Sequence, residues 1–470
     1  MKIPTTPPIK LTSQKSSESS PSPGMPESQV KSLPSQFEVR DSPLTMVCKS
    51  PGGQVLYSMF LSTTAILFLL NTSRYYFNRQ VLRDDLSFLN RLFNTVDVFI
   101  FVDVCTHIPI FLILYPAARL HGMYGSRQLF QVTAIAVCIL VAVIPFTVTR
   151  MVESSTMVRW MIGIEHVRVM LKLVAYSVEI YRAGDQHARD HKDHDENNND
   201  DSKDSLFTLK ALAYFMVVPV LIFRPPSTYP SMGRGRSIRL ILGHLLDIVL
   251  LCFLAFLAYR RLYEPAIFQL GIVPYSKVSV DYALSVFLSS TVLGWFNLMG
   301  IGIGFLHSWL NIWAEILDFG DRQFYKPWWH VRGITDFMRT WNFLIHSWIS
   351  AYFYQPVRWM TGSKQVAQLF VILGSAVIHD YIMSLSFGFL TSVFSAIVIC
   401  VVIPTFIFAA PASYLQGKEG CNFFTFLVLH MTACVMGFMG GADFATRTIN
   451  CFVPDKSLLN PIPGFFDCKW

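Results

Sequence analysis

Charge is what this sequence has least of. Only 15% of its 470 residues are Asp, Glu, Lys or Arg, against roughly 25% in a soluble domain, and 52% are hydrophobic. A chain so poor in charge cannot dress the surfaces of several soluble domains, although its length would allow them. The formal net charge of +7 is modest. No basic stripe with interleaved aromatics occurs in any polar segment, so a nucleic-acid partner is excluded and lipid headgroups are the natural neighbours of the cations. The nine cysteines lack metal-ligand spacing, and no metal site is expected. Cys105, Cys138, Cys252, Cys400 and Cys434 fall in apolar runs, where cysteine acts as a small buried hydrophobe. Internal repeats are missing, which argues against transporters built on inverted repeats. The start of the chain lacks large apolar side chains and is rich in Ser, Pro and Lys. Residues 1–50 therefore read as a disordered cytosolic tail without the apolar core of a signal peptide.

What is present is a series of long apolar runs. A membrane span needs about 20 such residues. Candidates lie at 55–71, 98–115, 129–149, 209–223, 240–259, 283–305, 366–387, 392–409 and 423–441. A further one at 157–180 alternates apolar residues with Arg159, Glu165, His166, Arg168 and Lys172, the pattern of an amphipathic or protein-buried helix. Residues 51–470 thus read as one all-α, polytopic membrane domain with about nine transmembrane helices. A polar stretch at 184–204, with His187, His191 and His194 among carboxylates, reads as a disordered, solvated loop within it. An odd number of spans from a cytosolic N-terminus carries the C-terminus to the lumen. There Cys451 and Cys468 bracket a Pro-rich tail.

One stretch organises the rest. A polar, aromatic run from Phe319 to Trp348 precedes an apolar helix at 366–385 that carries His379 and Asp380 in its middle. Ionisable groups inside a span are costly, so they mark a functional site.

The motifs of this stretch resemble the sterol O-acyltransferase branch of the membrane-bound O-acyltransferase family. FGDRQFYKPWWH (319–330) resembles the FYxDWWN signature with its lead-in, and RTWNFLIHSW (339–348) the RTWN…H segment after it. SAVIHDY (375–381) resembles the segment with the membrane-embedded histidine, and YFMVVPVLIFRPPSTYP (214–230) an upstream segment ending in a YP turn. The motifs stand in order over most of the chain. Two positions depart from the signature: Pro327 stands where Asp is expected and His330 where Asn is expected.

The resemblance implies transfer of a fatty acyl group from acyl-CoA, a co-substrate and not a cofactor, to a sterol hydroxyl in the endoplasmic reticulum membrane, by a homodimer or homotetramer. It also implies a disulfide between Cys451 and Cys468. The chemistry needs a base for the hydroxyl proton, a donor for the oxyanion, and exclusion of water. His379 suits the first task and Asn342 the second, with Trp341 walling the chamber. Phe324, Tyr325, Trp328 and Trp329 read as a substrate entrance, with Arg339 and His346 beside it. Arg322, Lys326, Arg332 and Arg339 could pair with coenzyme A phosphates. His346 is the competing base, with a structural role preferred; His430 reads as structural. The alternatives are a diacylglycerol acyltransferase-like enzyme and, given Pro327 and His330, a non-catalytic lipid-binding relative.

Overall fold

A computed structural model describes residues 37–190, 205–266, 279–330, 334–388 and 392–397. The all-α expectation holds. Extended pairing among the described residues is confined to two isolated bridges, Arg40 with Asp321 and Ser231 with Phe319. Six helices among the described residues are long and apolar enough to cross a membrane: Pro51–Phe77, Arg79–Tyr124, Arg127–Met151, Ile238–Ala266, Leu284–Ile316 and Lys364–Phe387. The expected runs at 392–409 and 423–441 lie almost wholly outside the described residues, as do Cys451 and Cys468, so the count of nine stays an expectation.

In chain order, α1 (Pro43–Lys49) starts with proline at its first position, where the missing N–H costs nothing, and α2 (Pro51–Phe77) is capped by Ser50 accepting from Gly53 N–H. Next come α3 (Arg79–Phe93), α4 (Val96–Pro109), α5 (Tyr115–Tyr124) and α6 (Arg127–Met151). A π-turn at Ile110–Leu114 comes directly after Pro109, which lacks the N–H that regular α pairing would use. The long helix α7 (Thr156–Asp190) packs against α4, α5 and α6.

That helix explains its own odd composition. Val158, Ile162, Val169, Leu173, Tyr176 and Ile180 are buried at helical spacing, so α7 is a protein-buried element, and its inward cations have partners. Lys172 Nζ donates to the carbonyls of Phe215 (2.6 Å), Met216 (3.0 Å) and Val218 (2.7 Å). It thereby satisfies the open end of α8 (Leu209–Val217). Arg168 donates to both oxygens of Glu165 and to Met216 O at 2.7 Å. Asp103 and His107 approach Glu165 from α4, and Arg168 supplies the countercharge to that cluster.

Three expectations need correction. The tail does not run to residue 50, because Phe37 onward is ordered against the body of the protein. Phe37 packs on Tyr229 and Phe319, and Arg40 pairs with Asp321. The polar loop does not begin at 184, since α7 continues to Asp190. Gly184 sits in it because a Cβ there would fall 2.4 Å from His121 Nε2. The run at 209–223 is no span. Its nine-residue helix stops at Val217, and Pro219, Pro225 and Pro226 keep the adjoining residues out of helical pairing.

The remaining elements are α9 (Ile238–Leu257), α10 (Val280–Met299), α11 (Leu310–Ile316), α12 (Ile334–Thr340), α13 (Phe343–Ile349), α14 (Gln355–Thr361), α15 (Lys364–Phe387) and α16 (Val393–Ile397). Helix α15 packs along α7 and meets α14 and α16.

Candidate active site

The signature loop is held on both sides by backbone. On one edge Arg40 N–H donates to Gly320 O and Arg322 N–H to Arg40 O, each at 3.0 Å. On the other, Gly320 N–H donates to Pro230 O at 2.7 Å and Met232 N–H to Asp318 O at 3.1 Å. The approach requires glycine at 320, since a Cβ there would lie 3.1 Å from Ser231 O. The upstream YP segment and the signature thus meet in space, which their separation in sequence hides.

Beyond Gly320 the loop divides by depth. Phe324 and Tyr325 are only 1% and 2% exposed. Each such aromatic contributes on the order of 1.5–3 kcal/mol by burial. The Tyr325 hydroxyl accepts from Leu44 N–H at 3.2 Å and lies 2.9 Å from His307 Nδ1. These two residues anchor the loop from inside and are closed to a substrate. Pro327 is exposed, while Lys326, Trp328 and Trp329 are half-buried. Arg322 is likewise closed to a phosphate: it is 4% exposed and paired at 2.7 Å with Glu315, which also holds Arg234. Arg339 is exposed. The side chain of His330 and the whole of Arg332 lie outside the described structure.

Signature and RTWN segment are stitched together. Phe343 N–H donates to Phe324 O at 3.0 Å and Lys326 N–H to Thr340 O at 2.8 Å, while the Lys326 ammonium sits 4.3 Å from the centre of the Phe343 ring. Trp341 packs edge-on to Trp328 at 4.8 Å and stacks on Phe337 at 5.3 Å. Behind it is Gly302, where a Cβ would meet Trp341 Cη2 at 2.8 Å. Replacing Gly302 by valine is expected to push the indole out of its slot, destabilising by about 1–3 kcal/mol. The thermal unfolding midpoint of the purified protein checks this, and an unchanged midpoint would show that Trp341 has room to move.

Asn342 is the N-cap of α13. Its side-chain oxygen accepts from Ile345 N–H at 3.1 Å, and its NH₂ has no hydrogen-bond partner among the described residues. His346 lies one turn on, half-buried, and burial together with the nearby Arg339 and Lys326 cations pushes it below the usual histidine range.

His379 lies on the exposed side of α15, its ring 5.0 Å from Phe394. Its Nδ1 is 2.7 Å from Ser375 O, one turn back in the same helix. A carbonyl can only accept, so Nδ1 carries a proton, and in the neutral ring the lone pair is on Nε2. Asp380 has a different job: its two oxygens accept from Phe394 N–H at 2.8 Å and Ser395 N–H at 2.9 Å, at the start of α16. It fixes the element that flanks His379.

Among the described residues no hydrogen bond joins His379 to Asn342. Both helices are instead tethered to α7. The Tyr381 hydroxyl meets His166 Nδ1 at 2.7 Å, and Trp348 Nε1 donates to Leu171 O at 2.8 Å. His166 and Leu171 are five positions apart, roughly 7.5 Å along a helix. Sequence reasoning named His166 only within the amphipathic pattern of 157–180 and passed over Leu171 and His307, because none belongs to a motif. The amphipathic pattern of 157–180 was the available signal.

The comparisons with known proteins agree with this geometry. A model of the membrane-bound O-acyltransferase family matches residues 59–439. The chain belongs to that family. It is 38% identical over 184 residues to sterol O-acyltransferase 2 of Mus musculus, covering 37% of this chain and 33% of that protein. To sterol O-acyltransferase 2 of Homo sapiens it is 38% identical over 181 residues, with 37% and 33% covered. To sterol O-acyltransferase 1 of Mus musculus it is 34% identical over 193 residues, with 40% and 34% covered. The aligned part of the chain thus spans about a third of the length of the curated relatives it matches. Family membership and six long apolar helices make this a multi-pass membrane protein.

Proposed function

We propose that this chain transfers a fatty acyl group from acyl-CoA to a sterol hydroxyl, forming a steryl ester. The observation that carries the reading is His379, set in an apolar helix with Nδ1 committed to Ser375 O. In the proposed reaction Nε2 takes the hydroxyl proton as the sterol oxygen attacks the thioester carbonyl. The C–O bond forms, the tetrahedral oxyanion collapses, the C–S bond breaks, and the imidazolium returns the proton to the coenzyme A thiolate. The free NH₂ of Asn342 is the donor for the oxyanion. Trp341, Trp328 and Phe337 form an apolar wall that keeps water from the thioester. Acyl-CoA is the co-substrate, entering past Lys326, Trp328 and Trp329, with Arg339 beside them.

The setting belongs to the same proposal: the endoplasmic reticulum membrane, a homodimer or homotetramer, a luminal tail closed by Cys451 and Cys468, and no cofactor. The test is acyl transfer in microsomes, with cholesterol, other sterols, diacylglycerol and long-chain alcohols offered side by side. Transfer to sterols supports the reading, and transfer to diacylglycerol alone replaces it.

Exposed Pro327 favours a second reading, a lipid-binding relative without catalysis. Proline removes both a carboxylate and a backbone donor from the entrance. Restoring the signature with Pro327→Asp and His330→Asn is expected to lower the KM for acyl-CoA about tenfold, the scale of one charge-assisted hydrogen bond, with kcat little altered. If neither wild type nor the restored protein transfers to any acceptor, the second reading replaces the first.

A further inference from the structure

The segment from Phe37 to Lys49 belongs to no recognised motif, yet it grips the signature loop at two places, near Asp321 and at Tyr325. Arg40 grips Asp321 through two parallel bonds, Nε to Oδ1 at 2.7 Å and Nη2 to Oδ2 at 2.9 Å. Its backbone pairs with Gly320 and Arg322 on the same edge. Farther along, Ser42 is fully buried, with Oγ 3.1 Å from His307 Nδ1. The same nitrogen meets the Tyr325 hydroxyl at 2.9 Å, and that hydroxyl accepts from Leu44 N–H at 3.2 Å. Since Leu44 donates to the phenol oxygen, the phenol proton is free to point at His307, which then accepts through Nδ1.

His307 is itself set deep in the helices. Asn311 Nδ2 donates to its backbone oxygen at 2.8 Å, and the ring lies edge-on to His244 at 5.1 Å. Nearby Asp247 accepts from Tyr57 at 2.8 Å, linking α9 to α2. The segment therefore holds the Asp321 side chain, at an end of the loop where Gly320 is also bonded to Pro230 and Arg322 to Glu315, and it holds Tyr325 together with the helix bundle. Beyond Tyr325 lie the residues left partly open, Lys326 to Trp329.

We propose that Phe37–Lys49 is a strap that sets the conformation of the acyl-CoA loop, with Arg40, Ser42 and His307 as its positioning residues. This rests on the reading of that loop as the acyl-CoA entrance. None of the three touches substrate. They act through Asp321 and Tyr325, which fix where Lys326, Trp328 and Trp329 stand.

The test uses the full chain in detergent, with Arg40→Asp, Asp321→Arg, the two combined, and Ser42→Ala as the mild variant. Amide hydrogen exchange of residues 319–326 reports the loop directly. Affinity for a non-cleavable acyl-CoA thioether, and the split between KM and kcat, report the entrance. Each single charge reversal is expected to speed exchange and to raise KM and weaken analogue binding about tenfold, with kcat nearly unchanged. Ser42→Ala shifts both in the same direction by less, and the combined swap restores them. Unchanged exchange in every variant overturns the strap. So does faster exchange without loss of analogue affinity, or a swap that rescues neither. Should wild type bind no analogue at all, the acyl-CoA reading of the loop fails, while the exchange arm and its rescue still decide whether the segment holds the loop.

Discussion

His379→Ala is expected to abolish measurable acyl transfer while the protein still folds. A general base contributes roughly 10²–10⁴-fold in rate, and that is the loss expected in kcat. Stability is spared because the imidazole lies on the exposed side of α15, and its hydrogen bond is to a carbonyl of its own helix. Its ring packs on Phe394 of α16, but that element is also held by the two Asp380 bonds. His346→Ala is the control. Burial and the nearby Arg339 and Lys326 cations push that residue below the usual histidine range, so electrostatics alone does not exclude it as a base. What separates them is the tautomer: the Ser375 carbonyl fixes the His379 proton on Nδ1. Steady-state transfer by the two variants, matched for folded protein by gel filtration, decides the assignment. Equal losses, or near-normal activity in His379→Ala, would remove His379 from the mechanism.

The helical, membrane-embedded character of the chain was legible because it depends on composition and on period, both local properties. The protein-buried nature of α7 showed for the same reason, in Arg168 and Lys172 recurring against an apolar stripe. Where the sequence misled, the deciding contact was remote. Phe37, Arg40 and Ser42 sit in a Ser- and Pro-rich context that looks like tail, and only Tyr229, Asp321 and His307 show otherwise. The run at 209–223 is apolar enough for a span, but its carbonyls end on a buried lysine, a bond no hydropathy average contains.

At the candidate site, motif order picks out a stretch and not the duties within it. Tyr325 and Arg322 carry the residue types of an entrance, aromatic and cationic. Both turn inward because His307 and Glu315 stand ready to pair with them. Asp380 next to His379 looks like a proton partner. The backbone of α16 claims both its oxygens.

Asn342 allows a cap and a catalytic donor to be separated by substitution. Its oxygen caps α13 through Ile345 N–H at 3.1 Å, and its NH₂ is the proposed oxyanion donor. Aspartate is as good an N-cap as asparagine, but has no NH₂. Asn342→Asp is therefore expected to keep the unfolding midpoint and lose about 10²–10³-fold in kcat, the effect of removing one oxyanion donor. Asn342→Ala loses the donor and the cap together, so it shows the same fall in kcat plus about 0.5–2 kcal/mol of stability. A purely structural asparagine predicts the reverse order, with Asn342→Asp near wild type in rate and Asn342→Ala impaired only as far as it unfolds. Rates measured at saturating acyl-CoA, alongside thermal unfolding of the same preparations, tell these apart. An Asn342→Asp protein that is fully active would leave the oxyanion without its proposed donor.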